Sequence, residues 1–253
     1  MSQRQPLSVT IITLNAAQQI AACLASVAFA DEIVVVDSGS TDDTIKIAQQ
    51  QGARVVHQDW LGYGPQKQYA VSLAQHNWVL CVDADERVSG ALRHSIEAAL
   101  SEPLAHGYTM PRCNKFLGRW LRHGEGYPDW SLRLFHRAYG RWSNDPVHEK
   151  VELDSPATRI KGDLLHESSE DLAVYLDKQN RYTTLAAERL FKSGKRVGVA
   201  QLALSPVLRF IKFYVLRLGF LDGVAGLVHI SIGCQNSLMK YAKLMSMQKR
   251  RDG

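Results

Sequence analysis

The run Trp78-Val79-Leu80-Cys81-Val82 ends abruptly at Asp83-Ala84-Asp85-Glu86, and few folds accept an unbroken apolar run that stops at paired carboxylates. Such a run reads as a strand buried on both faces, the habit of parallel sheets covered by helices. In those sheets ligands collect beyond the carboxyl ends of the strands. Two carboxylates one residue apart at that edge can hold a divalent cation against a diphosphate.

The preceding residues repeat the pattern. Leu7 to Leu14 and Glu32 to Val36 are β-branched runs with an Ala/Leu-rich amphipathic stretch, Gln18 to Ser26, between them, which predicts a βαβ opening. After the second run comes Asp37-Ser38-Gly39-Ser40-Thr41-Asp42-Asp43-Thr44, where Ser or Thr can cap a helix and Asp favours its first turn. A third strand is expected over Ala53 to His57. A glycine turn, Gly62-Tyr63-Gly64-Pro65, then precedes a helix from Gln66 to Gln75, and another helix from Gly90 to Leu100 closes the series. Strand and helix thus alternate over residues 7–100, predicting an α/β fold with a mostly parallel sheet and helices on both faces.

From Gly107 onward the pattern changes to short strands with turns: Gly107 to Pro111, Ser131 to His136 and Val147 to Leu153. These predict an antiparallel extension at the ligand edge. A long helix is expected from Glu170 to Ser193, and Ser205-Pro206 reads as the start of another, with Pro at its first position. The expected division is therefore one domain over 1–194, with an alternating part near 7–100 and an antiparallel part over 101–194, followed by a helical segment over 195–253.

The tail is apolar but carries Arg209, Lys212 and Arg217. At ~100° per residue these fall within one arc of a helix whose other side holds Val207, Leu208, Phe210, Ile211 and Val215. That pattern suits a helix lying on an anionic membrane surface, or one packed on the protein's own core with its cations extended to water. The longest uncharged tail run, Gly223 to Met239, is shorter than the ~20 residues of a spanning helix. Cys23, Cys81, Cys113 and Cys234 show no metal-site spacing, and Met1 to Pro6 shows no apolar signal region, so a reduced, cytoplasmic protein is expected. A net charge of +5 suits an anionic partner without choosing among nucleic acid, phosphorylated metabolite and membrane.

Asp37 and the Asp83/Asp85 pair close two different strands, so parallel neighbours would bring them to one edge. One carboxylate can accept the imide N–H of a pyrimidine while another binds a cation bridging two phosphates. Lys67 can add positive charge there, or be a solvated helix lysine. The glycine cradles of dinucleotide-binding and P-loop proteins are missing from the sequence.

Four segments, Val9 to Asn15, Val35 to Asp42, Gly62 to Gln68 and Leu80 to Glu86, resemble family 2 glycosyltransferases in order and spacing. The likeness extends through Val147-His148-Glu149-Lys150 and Gly219-Phe220-Leu221-Asp222-Gly223. Within the family the sequence is most similar to bacterial enzymes that add β-glucose to the first inner-core heptose of lipopolysaccharide. The resemblance implies a GT-A fold, a UDP-sugar donor and Mg²⁺ or Mn²⁺ on the Asp-x-Asp motif. By position, Thr13 and Asn15 would line the uridine pocket, Asp37 would bind uracil, Lys67 would sit beside the nucleotide, Asp83 would touch ribose or metal, and Asp85 would hold the metal. Ala16 departs from the pattern, since many relatives carry Glu after the Asn.

An inverting transfer also needs a base. Glu149 is the leading candidate and Asp145 and Asp129 are its rivals, each of which can equally be a turn-capping carboxylate. His166, or His148 instead, could add an imidazole to the metal. Lys115, Arg119, Arg122 and Arg133 interleave with Trp120, Tyr127 and Trp130 in the segment that GT-A enzymes use for the acceptor. Arg122, Trp130 and Arg133 are the expected acceptor contacts, since aromatic faces stack on sugars and cations suit phosphorylated core sugars. No RNA-binding signature accompanies them.

The expected reaction moves glucose or a similar hexose to a lipid-linked lipopolysaccharide core at the inner face of the cytoplasmic membrane. Transfer to a polyprenyl phosphate or capsule intermediate would use the same donor site. A haloacid-dehalogenase-like phosphatase fits less well, because Arg87 stands where its motif has Thr or Val. A non-catalytic membrane or nucleic-acid module would have no use for Asp37, Asp83, Asp85 and Glu149 together.

Overall fold

The computed structural model describes residues 4–145, 149–168 and 171–252. It forms two compact units: residues 1–112 with 129–167, and residues 113–128 with 168–253. The division expected at 194/195 therefore falls inside the second unit. The long helix that follows residue 170 packs extensively with the last helix of the chain.

In unit 1 the strands β1 (Leu7–Thr13), β2 (Glu32–Asp37), β3 (Arg54–His57) and β4 (Trp78–Asp83) alternate with helices α1 (Ile20–Ser26), α2 (Thr44–Gln50) and α3 (Tyr63–Leu73). After β4 come β5 (Glu86–Val88), α4 (Gly90–Ser101) and the first part of β6 (Gly107–Phe116). The strand β7 (Arg119–Trp120) belongs to unit 2. Strands β8 (Asp129–His136), β9 (Gly140–Trp142), β10 (Val151–Leu153), β11 (Thr158–Arg159) and β12 (Leu164–His166) complete unit 1. The sheet order is β3-β2-β1-β4-β8-β6-β12-β5, with β11 also on β6, while β9 and β10 form a separate hairpin. The first four strands are parallel and β8 joins β4 antiparallel, as the change of pattern after residue 107 predicted.

Every β4 residue from Trp78 to Val82 is buried. Trp78, Leu80 and Val82 pack on one side with Leu7, Val9, Ile11 and the helix residues Leu24, Leu92 and Ile96. Val79 and Cys81 pack on the other with Phe135, Trp142 and Val71 of α3. Each fully buried aliphatic side chain contributes roughly 1.5–3 kcal/mol, so this strand is fixed in register by both faces. Its carboxylates cannot slide away from the edge.

Unit 2 holds α5 (Leu172–Lys192), α6 (Val199–Phe210), a π-helical turn over Ile211–Leu216, a 3₁₀ turn over Gly219–Asp222 and α7 (Gly223–Asp252). The hairpin formed by the end of β6 and β7 joins them. Ser205-Pro206 is not a helix start: Pro206 lies inside α6, which widens into the π turn soon after it. A proline removes a backbone donor from a helix interior, and such a defect commonly accompanies local widening. Glycine-rich residues 62–65 likewise do not precede α3, because the helix begins at Tyr63 and Gly62 takes the positive φ of 98° at its cap. The strand expected over Val147 to Leu153 is observed as Val151–Leu153; Val147, His148 and Glu170 lie outside the described residues.

Candidate active site

The order β2-β1-β4 places a crossover on each side of β1, the arrangement that opens a ligand crevice at the carboxyl edge of an α/β sheet. The register sets Thr13 opposite Asp37 on β2, and Ile12 opposite Asp83 on β4. Asp37 is wholly buried; its carboxylate accepts from Gly39 N and Ser40 N, each at 2.8 Å, and from the Ser40 hydroxyl. The side chain expected to meet uracil thus also builds the turn at the strand end, and its three bonds leave a carboxylate with acceptor capacity to spare. Asn15, at φ 50°, accepts from Thr41 N at 2.8 Å while its own N–H donates to Ser40 Oγ, so the ends of β1 and β2 are stitched together. Between them the buried Thr13 hydroxyl makes no hydrogen bond within the described residues. A buried hydroxyl left without a partner costs about 1–3 kcal/mol, which a polar ligand at this edge would recover.

Next to this edge runs a chain of alternating charges. Lys67 of α3 places Nζ 3.1 Å from Asp83 and 3.4 Å from Glu149. On its other side Asp83 meets Arg133 of β8 at 3.0 Å, and the same guanidinium nitrogen reaches Glu86 at 3.0 Å. Glu86 also accepts from Asp83 N at 3.0 Å and lies 3.7 Å from Arg112, which donates to Asp129 at 2.8 Å. Lys67 and Arg133 lie over the indole of Trp142, at 4.8 and 5.7 Å. The side chains of Glu86, Arg133 and Lys67 are 0%, 6% and 7% exposed, so the Arg133–Glu86 pair is nearly dry, while Asp83, at 25%, opens to the sheet edge.

Burial raises the Asp83 carboxyl, but Arg133 and Lys67 outweigh it and hold the group well below the usual carboxylate range. Glu86 moves the other way: burial raises it, and Asp83 adds to the rise against the pull of Arg133. The motif thus carries one firmly ionised carboxylate and one that is ionised at a cost. Arg133 was expected at the acceptor; its guanidinium is instead buried and bonded to the two acids, where it positions Asp83. Only the pairing of β8 with β4 brings Arg133 to the acidic motif.

Asp85 follows on the turn between β4 and β5. The antiparallel pairing of β12 with β5 sets His166 opposite Glu86 and brings His166 Nε2 to 3.2 Å from Asp85 Oδ2. Glu167 N donates to Asp85 O at 3.0 Å and fixes that turn. Among the described residues no three His, Cys, Asp or Glu side chains form a ready metal cage. A carboxylate and an imidazole do, however, suit Mg²⁺ or Mn²⁺ once diphosphate oxygens complete the shell. His148 lies outside the described residues.

Glu149 reaches Lys67 because α3 approaches the β9–β10 hairpin closely. A Cβ on Gly64 would stand 2.0 Å from Ser143 O and 3.5 Å from Glu149 Cβ, so only glycine permits that approach. Of its rivals, Asp129 is bonded to Arg112 across the β6/β8 pair, and Asp145 is exposed. Glu149 shares the Lys67 ammonium with Asp83 of the Asp-x-Asp motif.

The other expected acceptor residues fall in different units. Trp130, on β8 in unit 1, is exposed on one face and covered by the Arg159 guanidinium, 4.6 Å from its ring, on the other. Arg122, in unit 2, has its backbone N–H bonded to buried Asp222 at 3.0 Å, and His123 donates to the same carboxylate from its backbone N and from Nδ1. That assigns a structural duty to the Gly219-to-Gly223 motif. Gly219 and Gly226 allow the contact of its turn with α7, since a Cβ at either would come within 2.5 Å of Ile230 or of Gly219 O.

Comparison with known proteins agrees with this architecture. The family model described as glycosyl transferase family 2 matches residues 8–152. The lipopolysaccharide core biosynthesis glycosyltransferase LpsC of Rhizobium meliloti is 30% identical, the match covering 96% of this chain and 93% of LpsC. The uncharacterized glycosyltransferase RP128 of Rickettsia prowazekii is 29% identical, over 97% of this chain and 87% of its own length. Among solved structures, mannosyl-3-phosphoglycerate synthase from Rubrobacter xylanophilus shares the fold with a TM-score of 0.51 at 15% identity, covering 77% of each chain. With the parallel strands closed by antiparallel β8 and β6, the architecture is GT-A. The chain belongs to glycosyl transferase family 2.

Proposed function

We propose that the protein transfers glucose, or a similar hexose, from a UDP-sugar to the inner-core heptose of lipopolysaccharide with inversion at the anomeric carbon. The observation that carries this reading is the linkage of Asp83 and Glu149 through the single ammonium of Lys67, which sets a donor-edge carboxylate and a candidate base around one point. LpsC, similar along nearly its whole length and named for lipopolysaccharide core biosynthesis, supports the choice of acceptor. Such an acceptor is a lipid, which puts the enzyme at the inner face of the cytoplasmic membrane.

In this reading the Thr13 hydroxyl, Asn15 and the Asp37 turn line the nucleotide pocket, and Lys67 adds fixed charge near the diphosphate. Asp85, with His166 beside it and Asp83 behind it, would hold Mg²⁺ or Mn²⁺, which when bound supplies positive charge to the departing UDP. Glu149 takes the proton from the acceptor hydroxyl as its oxygen bonds to the anomeric carbon and the bond to UDP breaks on the opposite face. Arg133 keeps Asp83 ionised and aimed, and Trp130 serves the acceptor.

The test is UDP release with a panel of UDP-hexoses against core lipid ending at the first heptose, with the product linkage determined. A β-linked hexose on that heptose is expected. Turnover only on polyprenyl phosphate would move the protein to that acceptor, and unchanged activity in Asp85→Ala would remove the metal role.

A further inference from the structure

The tail was expected to meet a membrane through Arg209, Lys212 and Arg217, and the structure changes which cations can do so. Arg209 forms an ion pair with Glu125 and donates to Ser237 Oγ at 3.0 Å; Arg217 donates to Tyr127 O at 2.7 Å. Both are committed within unit 2. The apolar side of the same helix is not: residues 199–216 average a hydropathy of 1.4 with none of them buried. At ~100° per residue Leu204, Val207, Leu208, Ile211 and Val215 share an arc of about 100°, and all five are exposed. The exposed apolar surface continues through Leu218, Phe220, Leu221 and Val224. Soluble surfaces rarely leave a contiguous patch of this kind uncovered.

A basic cluster caps one end of it. Gln248 Nε2 donates to Lys195 O at 2.8 Å, and the Arg251 guanidinium lies 5.1 Å from the Phe191 ring, so the end of α7 is fastened to the α5–α6 link. This gathers Lys192, Lys195 and Arg196 with Lys249, Arg250 and Arg251, all exposed, where α6 begins. The acids in these stretches are Glu188 and Asp252.

We infer that unit 2 binds an anionic phospholipid bilayer, with the α6 face lying among the acyl chains at the interface and the Lys192/Lys195/Lys249/Arg250 cluster reading the headgroups. Residues 199–216 are long and apolar enough to cross a membrane, but insertion in the plane of one leaflet, not a span, follows from the polar groups around them. Arg209 is tied to Glu125, and α7, which packs along α6, carries Lys240 and Lys243. Lys212, at the edge of the apolar arc, can extend to the headgroups. This deepens the proposed membrane location by naming its surface, and it requires neither donor nor acceptor to be correct.

The experiment is flotation of the full chain with vesicles of phosphatidylglycerol or of phosphatidylcholine. Binding to phosphatidylglycerol should exceed that to phosphatidylcholine and fall at high salt. Each cation near an anionic surface multiplies partitioning about fivefold, so Lys192→Glu/Lys195→Glu/Lys249→Glu/Arg250→Glu should lose at least a hundredfold. Leu208→Asn/Val215→Asn should lose binding to both vesicles while keeping its melting temperature. Equal binding to the two lipids, unchanged binding by the charge-reversed protein, salt-sensitive RNA binding without vesicle binding, or a dimer that covers α6 without vesicle binding would each overturn the inference. Vesicle binding without sugar transfer would leave it standing and refute the transferase reading instead.

Discussion

Unit 1 buries its charges, whereas unit 2 exposes its apolar side chains. Behind the Asp-x-Asp edge, Glu86, Arg133 and Lys67 are nearly inaccessible to water, while on α6 no residue is buried at all. Each inverts the ordinary rule of folding, and each inversion costs stability that a purely structural protein would not give up. Burying an ion pair costs several kcal/mol per ion in desolvation, recovered only by good geometry. Leaving a helix face apolar forgoes the burial that holds most surface helices in place. The lesson is that the two units give up stability in different ways: through buried charges in one, and through an apolar helix face left exposed in the other.

The comparison breaks most visibly at Arg133. Arg133→Met leaves buried Glu86 without its nearest cation and Asp83 with Lys67 alone, and should cost about 3–5 kcal/mol by chemical denaturation. Adding Glu86→Gln should recover part of that loss, because one uncompensated buried acid is removed. Full stability in the single variant would mean that the charge chain is solvated after all.

Gly64→Ala should cost roughly 1–3 kcal/mol, since the added Cβ drives Ser143 O away from α3 and crowds Glu149 Cβ. Turnover should fall further than stability, because Lys67 and Glu149 are parted as well. Equal losses would argue that Gly64 serves packing alone.

A pH titration gives the next contrast. The Asp83 carboxyl is held below its unfolded value, so its contribution to stability is complete above about pH 5 and is lost as the pH falls from there toward its folded value. The stability gap between the wild type and Asp83→Asn should therefore be flat from neutrality down to about pH 5 and shrink below that. A gap that shrinks on raising the pH instead would reverse the assigned shift. The smallest effect belongs to unit 2. Leu208→Asn, at a position 61% exposed, should change stability by no more than about 0.5 kcal/mol, whereas Val79→Asn, wholly buried in β4, should cost several kcal/mol.

Local pattern carried the nucleotide-binding half of the fold. The runs at 7–14, 32–36, 53–57 and 78–82 became β1 to β4 within a residue or two, because a strand buried on both faces leaves an unbroken apolar signature. The acidic edge was legible for the same reason. Legibility failed where tertiary pairing decides. Glu86 went unnoticed as the partner of Arg133, although it opens the short strand Glu86-Arg87-Val88, because nothing local reveals a cation arriving from β8. The approach of His166 to Asp85 rests on β12 pairing with β5, far apart in sequence. In the tail, the helical wheel found the apolar arc but could not tell committed cations from available ones, since Glu125 and Tyr127 lie some eighty residues or more from Arg209 and Arg217. Pro206 misled because a proline usually marks a helix start and here is tolerated inside α6.

The most direct test of the account is Glu149→Gln, followed for nucleotide binding and for turnover in the same preparation. The amide keeps the shape of the side chain and removes its basicity. Affinity for UDP with Mn²⁺ should stay within a fewfold of the wild type while transfer to the core lipid falls about 10²–10⁴-fold, the loss typical of a missing general base. Wild-type turnover in that variant would contradict the assignment of Glu149 and, with it, the chemical meaning given to the Lys67 bridge.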